Sequence, residues 1–101
     1  MKRMPVSLVE VAKVNTTGET VRVLRRRGVR HDEQIMHALE LSGHFVIGTP
    51  GGFRYRRKGK RKFTRPEPAS VFIIDDHGAA TATLPGPYFQ QHYTIVKGDD
   101  Q

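Results

Sequence analysis

Thirteen of the seventeen Lys and Arg residues fall in two stretches that contain no acid, and this partition constrains the fold more than any other feature. The first stretch holds Arg22, Arg25, Arg26, Arg27 and Arg30. The second reads RYRRKGKRK from Arg54 to Lys62, seven basic residues in nine, and Arg65 extends it. A helix from Glu19 to Arg27 would turn Val21 and Leu24 inward and Arg22, Arg25 and Arg26 outward, and Phe53 and Tyr55 alternate with Arg54 and Arg56 as in a strand with one apolar face. The remainder carries four basic residues against ten acidic ones, so the net charge of +7 is a local property of two segments. Concentrated positive charge attracts a polyanion and releases its counterions, which is the main source of nucleic-acid affinity.

A chain of 101 residues makes one domain with a modest core. The expected extent is 1–97, with 98–101 as a frayed tail. Cysteine is absent, which removes disulfides, thiolate zinc sites and a thiol nucleophile and suits a reducing cytoplasm. No apolar run approaches the roughly 20 residues of a membrane span. The opening MKRMPVSLVEV reads as mature protein, because Glu10 and Lys13 break its apolar stretch.

Residues 7–28 support two readings. Leu8, Val11 and Ala12 have helical spacing, and Thr16-Thr17-Gly18-Glu19 matches a capping box opening a second helix over Glu19 to Arg27, ended by Gly28. Alternatively, the β-branched Val9, Val11, Val14, Thr16, Thr17, Thr20, Val21 and Val23 favour a β-hairpin spanning 6–26 with NTTGE at its turn. The helical reading is preferred.

The rest is simpler. HDEQIMHALELS (31–42) predicts a helix burying Ile35, Ala38 and Leu39, with Asp32 and Glu33 at its positive end. His44 to Ile47 and Phe53 to Arg56 predict two strands around a Thr49-Pro50-Gly51-Gly52 turn. Lys58-Gly59-Lys60 predicts a turn and Arg61 to Arg65 a further strand. Ser70 to Ile74 is a buried strand, Asp75 to Gly78 a turn, Ala79 to Leu84 the returning strand, and Tyr88 to Val96 strand or short helix.

Two segments resemble helix-turn-helix proteins. SLVEVAK…TGETVRVLRRRG is similar to their first helix, turn and second helix, and ALELSGHFVIGTPGGFRYRR to the last helix and wing of winged-helix proteins. The resemblance covers about 50 residues and implies DNA binding with a helix in the major groove. The expected fold is therefore a small α+β domain, N-terminal helices followed by antiparallel hairpins. The alternative is a β-hairpin, a helix, and then an antiparallel sheet.

The expected function is non-catalytic nucleic-acid binding by a small regulator or accessory factor, with duplex DNA favoured and RNA allowed. Arg54, Arg56, Arg57, Lys58, Lys60, Arg61 and Lys62 are the expected phosphate contacts, with Phe53 or Tyr55 as candidate base-stacking rings. Arg22, Arg25 and Arg26 extend the footprint as a basic helix face, unless they pair with this chain's own acids such as Glu19, Asp32 and Glu33. The alternative is a protein-interaction module, such as a small phage-type inhibitor or a virion or ribonucleoprotein component, that binds an acidic protein surface. There the 88–96 segment supplies an edge strand or apolar anchor.

Asp75-Asp76-His77 and His31-Asp32-Glu33 carry ligand types suited to a divalent metal, but DDHG is also turn chemistry. No metal and no cofactor are expected. Ser7, Ser42 and Ser70 lie in no nucleophile motif, and no GxxxxGK[ST] loop occurs. A metal nuclease on Asp75 and Asp76 is the sole enzymatic alternative.

Overall fold

The computed structural model describes residues 9–27 and 31–97. The chain opens with a β-hairpin, β1 (Glu10–Val14) and β2 (Thr20–Arg25), followed by helix α1 (Asp32–Leu41). A second hairpin, β3 (Phe45–Thr49) and β4 (Gly52–Arg56), comes next. Strands β5 (Val71–Ile74) and β6 (Ala80–Leu84), a short helix α2 (Gly86–His92) and strand β7 (Tyr93–Lys97) complete it. Five strands form one antiparallel sheet in the order β6-β5-β2-β1-β7, and β3-β4 stand apart as a two-stranded ribbon.

This architecture overturns the N-terminal helices and the winged-helix resemblance built on them. The chain has the hairpin of the competing reading. Helical spacing at Val11 and Ala12 lost to β-branched density and to two-sided burial, and Leu8 lies outside the described residues. Strand β2 lies mid-sheet, where Val23 packs on one face and Leu24 on the other, both buried. A strand covered on both faces need not alternate polar and apolar residues, so its pattern imitates a helix.

The supposed capping box is the hairpin turn. The Gly18 amide donates to the Val14 carbonyl at 2.7 Å, and the Val14 amide donates to the Glu19 carbonyl at 2.8 Å. Gly18 sits at φ +79°, in the left-handed region that costs glycine least. The Thr17 hydroxyl accepts the Glu19 amide at 3.2 Å, so the threonine that imitated a helix cap braces a turn instead.

The sheet is covered on both faces. On one, Leu24, Phe72, Ile74 and Ala80 meet Ile35, Ala38 and Leu39 of α1 and Phe53 of β4. On the other, Ala12, Val23 and Val71 meet Phe89 of α2, flanked by Val21, Ile73 and Tyr93. Burying each large apolar side chain contributes about 1.5–3 kcal/mol, which rests the fold on these two clusters in the absence of cross-links. Gly86 begins α2 where the chain passes close to the 66–70 segment. A Cβ there would lie 2.7 Å from Ala69 Cβ and 2.9 Å from the Ala69 carbonyl oxygen.

Other expectations divide. Helix α1, the β3-β4 hairpin, β5, the Asp75–Gly78 turn and β6 stand close to where the sequence placed them. Residues 88–96 supply both a helix and a strand, because Pro85 and Pro87 start a helical turn that the β-branched Thr94, Ile95 and Val96 do not continue. Arg61 to Arg65 is not a strand. Thr64 forms an isolated bridge with Tyr55, and repulsion among Arg61, Lys62 and Arg65 works against a longer ladder. The expected tail at 98–101, the stop at Gly28 and the charge of Arg30 lie outside the described residues.

Candidate nucleic-acid interface

The 57–63 loop is the local consequence of five cations and one glycine. It leaves β4 at Arg57, turns where the Lys60 amide donates to the Arg57 carbonyl at 2.9 Å, and returns to pair Thr64 with Tyr55. Arg56 organises it. Its guanidinium donates to the Lys60 carbonyl at 2.7 Å and lies 4.4 Å from the Phe45 ring centroid and 5.3 Å from that of Phe63. Each cation–π contact contributes about 0.5–1 kcal/mol at an exposed site.

The loop forms one wall of a groove of about 630 Å³. Arg56, Arg57, Lys60, Arg61 and Lys62 line that wall. Thr81, Ala82 and Thr83 of the sheet-edge strand β6 line the other, and Leu39, His44, Tyr55 and Ala80 contribute from the core side. Among the described residues, no carboxylate lines the groove. Five of the seven expected phosphate contacts therefore converge on one concavity. Arg54 is exposed on the outer face of the hairpin, opposite Ile47, and Lys58 is exposed in the loop turn; neither lines the groove.

His44 reports the groove's field. Its pKa is lowered from the ordinary value of 6.5, first by burial and then by the Arg57 guanidinium, while the Leu39 carbonyl pulls the other way. Its Nδ1 lies 2.8 Å from the Ser42 hydroxyl, which itself donates to the Leu39 carbonyl, and its ring stands edge-on to Tyr55.

The Arg22–Arg26 cluster behaves differently. It is not a helix face, because these residues lie on or just beyond β2. Arg25 grips the buried Glu10 with two hydrogen bonds of 2.6 and 2.8 Å. Arg26 grips Asp32 with two of 2.9 Å, side chains 11% and 6% exposed. Arg22 donates to the Asp75 carbonyl at 2.5 Å. Sequence spacing could not show that Glu10 stands one strand away from Arg25, in register with Val23.

The proposed stacking rings are also reassigned. Phe53 is buried, and Tyr55 packs between His44 and Phe72. Phe45, 47% accessible, and Phe63, 37% accessible, are exposed rings beside Arg56. The signal for Phe45 was available in strand parity, since it alternates with the inward-packed Val46.

Asp75 Oδ1 accepts the amides of His77 at 2.8 Å and Ala79 at 3.0 Å. The Ala79 amide and then the His77 amide hold its carboxyl below the usual range. That is a turn anchored by an aspartate. Among the described residues, no three His, Asp or Glu side chains form a group able to hold a metal. None of the described helices is long and apolar enough to cross a membrane. No family model, curated protein or solved structure matches the chain, so the groove's chemistry must carry the functional reading.

Proposed function

We propose that this protein binds nucleic acid without catalysis, as a small regulator or accessory factor in a cytoplasmic setting, and that the 56–62 groove is its phosphate-binding surface. The supporting observation is the convergence of five cations on a concavity that no described carboxylate lines. Side-chain ammonium and guanidinium groups in that arrangement engage successive phosphates and displace their counterions. Arg25 and Arg26 belong to the scaffold in this reading. The decisive measurement is affinity for DNA against salt. Five phosphate contacts give a slope of log K on log salt of roughly −3.5 to −4.5. Replacing Arg57, Lys60, Arg61 and Lys62 together with Ala should flatten it to about −1. An unflattened slope in that variant sinks the assignment of the groove.

A second reading, an acidic protein partner, draws on β7. It forms the sheet edge opposite β6, with Val96 and Tyr88 half exposed nearby. A sheet edge and an apolar anchor suit strand addition by another chain. Purification from the native host with and without nuclease separates the two, because a partner bridged by nucleic acid is lost on digestion.

A further inference from the structure

We infer that the groove takes single-stranded nucleic acid in preference to a duplex, and that Phe45 and Phe63 supply the base-stacking faces. This rests on the phosphate-binding reading above and narrows it. Shape favours the single strand. The cations line a concavity between the 57–63 loop and the β6 edge. Duplex phosphates form rails on the outside of a convex rod, and their bases are reached by pushing a protruding element into a groove of the nucleic acid. Helix α1 is unsuited to that. The exposed positions of α1 include Glu33 and Glu40, which repel phosphates, and its opposite face is buried in the core. The outer face of the β3-β4 ribbon carries Phe45 and Ile47 across from Arg56 and Arg54.

The pairing of ring and cation favours it as well. Phe45 and Phe63 are accessible aromatic rings placed around the guanidinium of Arg56, which lines the groove together with Arg57 and Arg61. Aromatic faces beside a basic track are what an unpaired strand requires. Its bases are free to stack while its phosphates follow the charge, and stacking is indifferent to base identity. A duplex keeps its bases in their own stack and gains nothing from either ring. The opposite wall of the groove, Thr81 to Thr83, adds hydroxyls and a strand edge without any charge to oppose the backbone.

The test is fluorescence anisotropy with a mixed-sequence oligonucleotide, single-stranded and annealed, at one fixed salt concentration. The single strand should bind at least about tenfold more tightly. Phe63→Leu keeps an apolar side chain but no stacking face, and should cost about five- to hundredfold on the single strand. It should leave the salt slope unchanged, because it removes no phosphate contact. The chain has no tryptophan, so Phe63→Trp introduces a lone indole whose emission should be quenched by the oligonucleotide. That signal reads stacking directly even if Phe63→Leu disturbs the loop. Duplex binding as tight as single-strand binding, or an unquenched indole in a saturated complex, overturns the inference and leaves the nucleic-acid reading standing. Binding to neither form at low salt overturns both, as does equal competition by polyglutamate.

Discussion

Asp32→Ala should cost this fold more than any single charge removed from the groove. The Asp32 carboxylate accepts two hydrogen bonds from Arg26, each 2.9 Å, with both side chains nearly enclosed. The pair joins the end of β2 to the start of α1. It also sits under the second hairpin, since a Cβ at Gly52 would lie 3.1 Å from Arg26 Nη2 and the guanidinium is 6.0 Å from the Phe53 ring. Removing one partner strands a charge away from water, at about 3–5 kcal/mol. Loss of the acid from the first turn of α1 adds about 0.3–1 kcal/mol. A domain of this size has about 5–15 kcal/mol in total. Urea unfolding is the assay. With a slope of about 1–2 kcal/mol per molar, the midpoint should fall by roughly 2 M or more. The companion variant Arg26→Met with Asp32→Leu replaces both charges by apolar groups, and should recover most of the loss because no orphan remains. A single variant within about 1 kcal/mol of the parent, or a double variant no better than the single, would refute the reasoning.

Gly86→Ala should destabilise by about 1–3 kcal/mol, read by thermal melting, because its methyl overlaps Ala69 and the backbone must shift to admit it. His44 predicts two opposite pH effects. Its folded pKa is lowered, so between that value and 6.5 the unfolded chain holds more protons. Stability therefore rises with pH across that window, is complete above it, and declines as pH falls through it. A phosphate in the groove offsets the repulsion from Arg57, so affinity should instead rise on going from about pH 8 to about pH 6. His44→Gln should abolish both trends in parallel melting and binding titrations.

The legible parts of the sequence were those where local chemistry and tertiary setting agree. Helix α1 shows its apolar stripe at Ile35, Ala38 and Leu39, and the second hairpin shows Pro50-Gly51 between alternating strands. Residues 10–25 misled because β2 is buried on both faces and its turn borrows the chemistry of a helix cap. The groove's cations were legible as a run of charge. Their concavity was not, because its far wall is β6, some twenty residues onward. Nor could composition tell the cations that face solvent from Arg25 and Arg26. That distinction depends on Glu10 and Asp32, one brought by strand pairing and the other by a helix start.

The last strand has a consequence for how the molecule is made. Strand β7 pairs with β1 from Val14 opposite Tyr93 to Val11 opposite Lys97, and the Asn15 amide donates to the His92 carbonyl. The first and last described strands thus pair across nearly the full length of the described residues. Contacts so distant in sequence form slowly, because the loop they close must be ordered before the contact rewards it. On the ribosome, β1 and β2 emerge early and can pair, but the outer side of β1 has no partner until residue 97 is clear of the exit tunnel. Until then that strand offers open hydrogen-bonding groups to any neighbouring chain. The arrival of β7 covers that side of β1 and moves the open edge of the sheet to β7 itself.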